Sequence, residues 1–457
     1  MVFIIVNFLK TFQSLEKSKL INLLILFFCA LFFWTSITCL LPTLPAYIQD
    51  IGATAKQVGY VMGCFAIGLL LSRVWLGKLA DEGLSQLIRG VNINSAIINF
   101  SVRFFRRFIG KLVDYPSRKV VIIIGTLVAT FAPIGYFLLN SLPELMVIRA
   151  FHGVSIAAFT TGYSALVVDL SPQKQRGELI GYMSLAVPIG MAFGPAVGGF
   201  LQEYTNYGIL FSVSASCGVL AFILATQIRE FDFSQNHKRD SIRLKRDKQK
   251  DRTFKQIISN ASFLVPSLIL LLIGSLFGTL VTFLPLYLRY IGLDFNVGYF
   301  YTVAAIASFV VRFISGQASD RYGRGIFISI SIVCYIFSMS LLTFAHNSNI
   351  LLLSALLEGT GAGMLVPIIL ALISDRCSAT ERGKVFAICV SGFDVGVALG
   401  GPVLGSLLLD LGYRFLFAVT AIFAIIALIV FMGFSNKDIP NSWRFALGYV
   451  EDLYAVK

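Results

Sequence analysis

The sequence predicts an all-α polytopic membrane protein whose twelve transmembrane helices form two pseudo-symmetric bundles of six. Three observations lead to this fold class: the composition, the length of the apolar runs and an internal repeat. Of the 457 residues, 57% are hydrophobic and 13% are charged, and the mean hydropathy is +0.81. A soluble protein of this length could not cover so much apolar surface with so few charges.

Apolar runs bounded by polar residues, Gly or Pro predict the twelve spans, because a helix needs about 20 apolar residues to cross a bilayer. In the first half the predicted spans are 20–43, 56–77, 119–140, 143–169, 177–202 and 206–228. In the second half they are 257–289, 295–319, 325–345, 349–375, 383–409 and 412–434. All should be helical, since lipid offers no hydrogen-bond partner to backbone groups.

The basic residues set the expected orientation. The gap after the second span carries eight Lys and Arg, and residues 229–255 carry ten basic and five acidic residues. The opposite side has only Lys56, Arg289 and Arg414 in or beside its gaps. The positive-inside rule therefore predicts that both termini and the long middle loop are cytoplasmic. The same rule accounts for the net positive charge, so this charge does not indicate a protein that binds nucleic acid.

These patterns divide the chain into five predicted segments. They are a cytoplasmic N-terminal segment 1–19, a six-helix bundle 20–228, a cytoplasmic basic linker 229–256, a second bundle 257–434 and a cytoplasmic tail 435–457. The two bundles repeat each other: residues 45–60 match 285–299 at an offset of 240, and Arg118 and Asp169 match Arg324 and Asp375 at 206. Repeated membrane units of this kind are typical of transporters.

A change of offset within the repeat marks an insertion in the first bundle at about 77–110. The motif Gly-Lys-Leu-x-Asp occurs there twice, 33 residues apart, at Gly77 to Asp81 and at Gly110 to Asp114. The second copy, followed by Arg118, corresponds to a single copy in the second bundle that contains Gly316, Asp320 and Arg324. Glycine allows a tight turn in this loop. The carboxylate can contact a helix N-terminus or an arginine in one conformation and lose that contact in another, so the motif is predicted to act as a two-state gate. Whether Asp81 or Asp114 serves this gate is left open.

At these residues the chain resembles the major facilitator superfamily, over about 20–434. Beside the loop motif, a fourth-helix motif matches at Arg149, His152 and Gly153. A fifth-helix pattern also matches, and it is typical of drug/proton antiporters in that superfamily. It comprises Gly181, Gly190, Gly194, Pro195, Gly198 and Gly199. The resemblance implies that the first, fourth, seventh and tenth helices line a central cavity, for which Trp34 and Tyr163 are candidate lining residues.

Four ionisable residues inside the spans are candidates for proton coupling: Arg149, His152, Glu358 and Asp394. A charge at a helix centre costs about 2.5–3.5 kcal/mol on insertion scales, so such residues usually have partners and a function. Glu358 matches His152 in the repeat, and we expect both to face the cavity.

The sequence therefore predicts a proton-coupled exporter of small amphiphilic or sugar-like molecules that works by alternating access. Proton-coupled uptake and a non-transporting receptor or scaffold remain alternatives. We expect a monomer in the plasma or inner membrane of a bacterium. Its partners would be lipid, protons and a small substrate, with the proton gradient as its energy source. No nucleotide loop, catalytic triad, metal cluster or cofactor motif is present, so we do not expect an enzyme.

Overall fold

The computed structural model describes residues 16–82, 118–172, 176–229, 256–257, 259–378 and 381–456. Within these ranges it contains no β-strand, and twelve helices are long and apolar enough to cross a membrane. The predicted all-α fold class with twelve spans is thereby confirmed. Most of the predicted insertion and basic linker lies outside the described residues, including Gly110 and Asp114.

The spans of the first half begin and end close to the predicted bounds. The first consists of Lys17–Cys39 and a short continuation, Leu44–Asp50; the others are Ala55–Glu82, Arg118–Leu138, Leu142–Leu170, Arg176–Ser184 with Ala186–Tyr204, and Tyr207–Gln227. In the second half the helices are Ala261–Tyr290, Val297–Tyr322, Arg324–Thr343, Ser348–Asp375 and Arg382–Phe434, the last holding the eleventh and twelfth spans. A short C-terminal helix, Ile439–Ala446, follows.

Asparagine side chains fix the start of three spans in the second half. Asn260, Asn296 and Asn347 each precede a helix, and their side-chain oxygens accept hydrogen bonds from the backbone N–H groups of Ser262, Gly298 and Ile350. These bonds satisfy donors that the first helical turn leaves unpaired.

The fifth span departs from the single continuous helix that the apolar pattern predicts, whereas the eleventh and twelfth spans are separated at a glycine, as predicted. The fifth span breaks between Ser184 and Ala186. Pro188 lies four residues after Ser184; its ring crowds that carbonyl and it has no N–H to donate to it. Gly412 has φ +77° inside the long helix 382–434, a backbone conformation that favours glycine. It therefore makes the turn between the eleventh and twelfth spans.

The chain folds into two compact units. The first comprises Met1–Ile37, Ile67–Gly190 and Gly208–Phe233, and the second comprises Thr38–Ala66, Met191–Tyr207 and Ser234–Lys457. The second unit therefore joins parts of the first, second and fifth spans to all spans of the second half. Close approach explains this joining, since a Cβ on Gly59 would overlap the carbonyl of Gly401 and a Cβ on Gly63 would overlap Pro402.

Glycine also permits the closest contact between the eighth and tenth spans. A Cβ at Gly359 would overlap the backbone carbonyl of Ala304, whereas a Cβ at Gly433 would meet nothing within 4 Å. We expect Gly359→Ala to lower the thermal unfolding midpoint in detergent, because the overpacked helices must move apart at a cost of about 1–3 kcal/mol.

The matched substitution Gly433→Ala serves as the control for the smaller backbone freedom of alanine. We expect it to leave the midpoint unchanged or to raise it, since alanine is favoured over glycine in a helix by about 0.5–1 kcal/mol. Equal midpoints for the two variants would show that the contact with Ala304 does not limit packing.

Candidate functional site

Two arginine–aspartate pairs occupy equivalent positions of the repeat. Arg118 Nε lies 3.6 Å from Asp169 Oδ2 at the ends of the third and fourth spans. Arg324 Nε lies 3.3 Å from Asp375 Oδ2 at the ends of the ninth and tenth spans. The common offset of 206 in the sequence therefore corresponds to the same ion pair in each half.

The loop motif of the second half is assembled around Arg324. Its guanidinium forms an ion pair with Asp320, four residues earlier, and donates a 3.0 Å hydrogen bond to Ser319 Oγ. Gly316 is exposed, and a Cβ there would meet nothing within 4 Å. In the first half, Gly77 and Asp81 lie in the last turns of the second helix, Ala55–Glu82. One arginine thus holds two acids from the ends of two spans. That the motif acts as a gate stays a prediction.

The fourth-span candidates lie inside the first unit. Arg149 and His152 are both buried, and His152 Nδ1 is 3.1 Å from the hydroxyl oxygen of Tyr136 in the third span. Arg149 interacts electrostatically with both of these side chains. The sequence placed Arg149 and His152 on one helix; the structure adds Tyr136 as their shared neighbour.

Glu358 is the corresponding residue of the second half. It is 5% exposed on the tenth span and interacts electrostatically with Tyr301 of the eighth span and Tyr335 of the ninth. The Tyr301 hydroxyl is buried and has no hydrogen-bond partner within the described residues. No ion pair of Glu358 occurs in that part of the chain either.

His152 and Glu358 are both buried, and each interacts with tyrosine side chains from neighbouring spans of its own half. That both residues face a central cavity stays a prediction. The helical position of both residues was predictable, whereas the direction of each side chain depends on neighbours that are distant in sequence.

The other predicted residues lie apart from these clusters. Asp394 is half-buried on the eleventh span, between Gly392 and Gly396, which approach the seventh span closely. Tyr163 is buried and donates a 2.7 Å hydrogen bond to the carbonyl of Met183, and it stacks on Phe159. This arrangement gives Tyr163 a packing role. Trp34 is half-buried, and its Cβ would collide with a Cβ at Gly190.

The fifth-span glycines are sites of close helix approach. A Cβ at Gly198 would overlap the carbonyl of Cys39 in the first span, and one at Gly199 would overlap Asn296 and Gly298 at the start of the eighth span. Gly190 approaches the first span at Trp34, Gly194 and Pro195 are buried, and a Cβ at Gly181 would meet open space. Small residues allow this packing, so five of the six residues in the pattern lie in tightly packed positions.

A charged cluster at one end of the second unit was not predicted. Arg289 at the end of the seventh span donates hydrogen bonds of 2.6 and 3.1 Å to the two carboxylate oxygens of Asp50, which ends the short helix after the first span. Tyr207, at the start of the sixth span, donates a 2.5 Å bond to the same carboxylate. Nearby, the Asn296 amide donates to the Glu203 carboxylate. We call these five residues the end cluster.

The end cluster joins residues from both halves of the sequence. Arg289 and Asp50 are half-exposed, with 41% and 44% of their side chains accessible. A signal for it was present, because Arg289 is one of few basic residues on the side where the positive-inside rule expects almost none. An adjoining open groove of about 290 Å³, lined by Gln202, Glu203 and Asp294 among others, is small for a ligand pocket of about 300–1,000 Å³.

Comparisons with known proteins agree with this architecture. The family model described as Major Facilitator Superfamily matches residues 93–333 and 302–448. The staphylopine export protein of Staphylococcus aureus is 24% identical over 425 residues, which cover 91% of this chain and 96% of that protein. The quinolone resistance protein NorA of Staphylococcus aureus is 25% identical over 204 residues, so the match spans 45% of this chain and only 44% of NorA.

Among solved structures, a mutant of the nucleoside transporter NupG superposes with a TM-score of 0.68. It is 13% identical, and the superposition covers 90% of this chain and 99% of NupG. At that identity the likeness concerns the fold alone. The family match, however, extends over more than half of the sequence and over spans of both halves. This chain belongs to the Major Facilitator Superfamily.

Proposed function

We propose that this chain exports small molecules across a bacterial plasma membrane in exchange for protons, by alternating access. The observation that carries the proposal is the buried carboxyl group of Glu358. Burying a carboxylate without a counter-ion costs several kcal/mol, so the neutral acid is the form that fits this position. A conformational change that brings water to Glu358 would release its proton, and the return to the buried state would require a new one.

The relatives support the direction of transport. Two Staphylococcus aureus proteins similar to this chain are named for export of staphylopine and for resistance to quinolones. We therefore infer that quinolones and staphylopine are the first substrates to test. In this proposal the chain acts as a monomer with cytoplasmic termini, and the end cluster lies on the outer side of the membrane.

Direction can be tested in proteoliposomes that carry an imposed pH gradient. An antiporter should accumulate a quinolone when the lumen is acidic, because protons leaving the lumen drive the substrate in. A symporter should accumulate it only when the external medium is acidic. Accumulation with the second gradient alone would replace export by uptake, and absence of gradient-driven movement for every substrate tested would contradict the proposal.

Alternating access requires that the outer end opens during the cycle, so the end cluster should act as a latch. We expect Asp50→Asn to speed the reaction of the buried Cys39 thiol with a maleimide in detergent. The increase should be up to about fivefold, since exposed ion pairs stabilise by about 0.2–1 kcal/mol. Peptide mass spectrometry can measure labelling at Cys39 separately from the other thiols.

Asp294→Asn is the matched control. Asp294 is an exposed acid that lines the same groove, and no ion pair of Asp294 is found within the described residues. We expect its neutralisation to leave the labelling rate unchanged. A rate that is the same in both variants would remove the latch from the proposal.

A further inference from the structure

The chain beyond the twelfth span folds back onto the spans of the second half. The C-terminal helix, Ile439–Ala446, begins five residues after Phe434, and its Ser442, Phe445 and Ala446 are buried. Ser329 Oγ donates a 2.8 Å hydrogen bond to the carbonyl of Ala446. The ring of Phe445 lies 6.0 Å from that of Phe431 at the end of the twelfth span. One side of this short helix is therefore fixed to the ends of the ninth and twelfth spans.

The other side of the C-terminal helix carries three exposed apolar side chains. Ile439, Trp443 and Leu447 follow one another at a spacing of four, so they form one stripe. Their exposed fractions are 63%, 53% and 37%. Lys437 and Arg444, both exposed, flank the stripe.

Exposed apolar side chains also occur at the adjoining end of the twelfth span. Phe434, the last residue of the twelfth span, and Ile429, one turn and a half earlier, are 57% and 62% exposed. A helix attached to the end of a span within five residues must lie at the membrane boundary. Tryptophan is enriched at that depth, and lysine and arginine can reach the headgroups.

We propose that the C-terminal helix lies in the membrane interface, with Ile439, Trp443 and Leu447 among the upper acyl chains and Lys437 and Arg444 at the headgroups. Short amphipathic helices bind lipid in this way, with the apolar face about 5–10 Å deep. A second copy of the chain is the less suitable occupant, because a stable dimer buries about 1,000 Å² or more and three side chains cannot supply that area.

This placement gives the lipid surface a connection to the tenth span. Arg376, which follows that span, is held by Asp452 of the tail, and the backbone N–H of Val456 donates a 2.9 Å bond to the carbonyl of Asp375. The tail therefore links the lipid-seated helix to the end of the span that carries Glu358.

Tryptophan fluorescence tests the proposal, because the chain has three tryptophans. The variant Trp34→Phe/Trp75→Phe retains Trp443 alone. In vesicles of phosphatidylcholine brominated on the acyl chain near the headgroup, its fluorescence should fall well below that in unbrominated vesicles. Aqueous acrylamide should quench it weakly.

Two further variants calibrate the measurement. Ile429→Trp, placed in a chain whose three tryptophans are changed to Phe, gives the response of a lipid-facing position in the twelfth span. Ile439→Gln/Leu447→Gln, in the chain that retains Trp443, should weaken quenching by lipid and strengthen quenching by acrylamide. Quenching of Trp443 by acrylamide but not by brominated lipid would overturn the proposal, and so would protection from both quenchers, which would indicate a protein partner.

Discussion

Replacing Glu358 with glutamine is expected to abolish proton-driven accumulation of substrate while leaving the fold intact. Glutamine has nearly the same shape and no charge, so it fits the buried position beside Tyr301 and Tyr335 at a cost of less than about 1.5 kcal/mol. It cannot bind or release a proton, however, and the proposed coupling requires both steps. Accumulation in proteoliposomes with an acidic lumen should fall to that of protein-free vesicles.

Counterflow separates a coupling defect from a general one. Exchange of labelled for unlabelled substrate needs no net proton movement, so Glu358→Gln should retain it. Glu451→Gln is the matched control, because Glu451 is exposed in the C-terminal tail and its neutralisation should change neither assay. Normal gradient-driven accumulation by Glu358→Gln would show that Glu358 is not the coupling acid.

The half-buried Asp394 is the second candidate for that role. If Asp394→Asn loses gradient-driven accumulation while Glu358→Gln keeps it, coupling depends on the eleventh span instead. Loss in both variants would indicate that two acids share the proton. The same pair of assays therefore ranks the two carboxyl groups, which the sequence alone could not do.

The second large effect is expected at Arg376. Its side chain is 0% exposed and forms an ion pair with Asp452, which is 9% exposed. The guanidinium also donates hydrogen bonds of 2.8 and 2.7 Å to the carbonyls of Ser262 and Ser435. Removing one partner of a buried ion pair costs about 3–5 kcal/mol. We expect Arg376→Met to lower the thermal midpoint strongly and to release the C-terminal tail to protease.

Arg444→Met controls for the loss of a positive charge. Because Arg444 is exposed, its replacement should have little effect on the thermal midpoint. The double variant Arg376→Met/Asp452→Leu should recover part of the stability, because it no longer leaves a carboxylate buried alone. It should not recover all of it, because the two carbonyls still lack their donor. A midpoint for Arg376→Met equal to that of Arg444→Met would contradict this account of the tail.

Much of the fold was predictable because the bilayer constrains it. Apolar runs of sufficient length predicted the twelve spans. The repeat offset of 206 predicted that the pair Arg118 and Asp169 in the first half corresponds to the pair Arg324 and Asp375 in the second. The helix break near Leu185 was not predicted, since the fifth span was expected to be one helix over 177–202. The structure keeps Pro195 inside a helix, and Pro188 explains the break.

The features that sequence reasoning missed depend on contacts between distant residues. Asp50 and Arg289 are 239 positions apart. They lie in the matched segments 45–60 and 285–299, but at positions that the repeat does not pair with each other. The C-terminal helix has eight residues, too few to be recognised by periodicity, and its tail is anchored by Arg376, 76 positions before Asp452. Sequence patterns identify which residues are unusual, whereas three-dimensional packing decides which of them meet.

The half-exposed position of the end cluster has a consequence for how the medium acts on this protein. Dissolved ions screen exposed charges over about 8 Å at physiological ionic strength, whereas they do not reach the enclosed carboxyl group of Glu358. Raising the salt concentration on that side alone should weaken the attraction between Arg289 and Asp50 and change the pace of the cycle. If the end cluster lies on the outer side, as proposed above, the salinity around the cell would adjust turnover without any ion occupying a dedicated binding site.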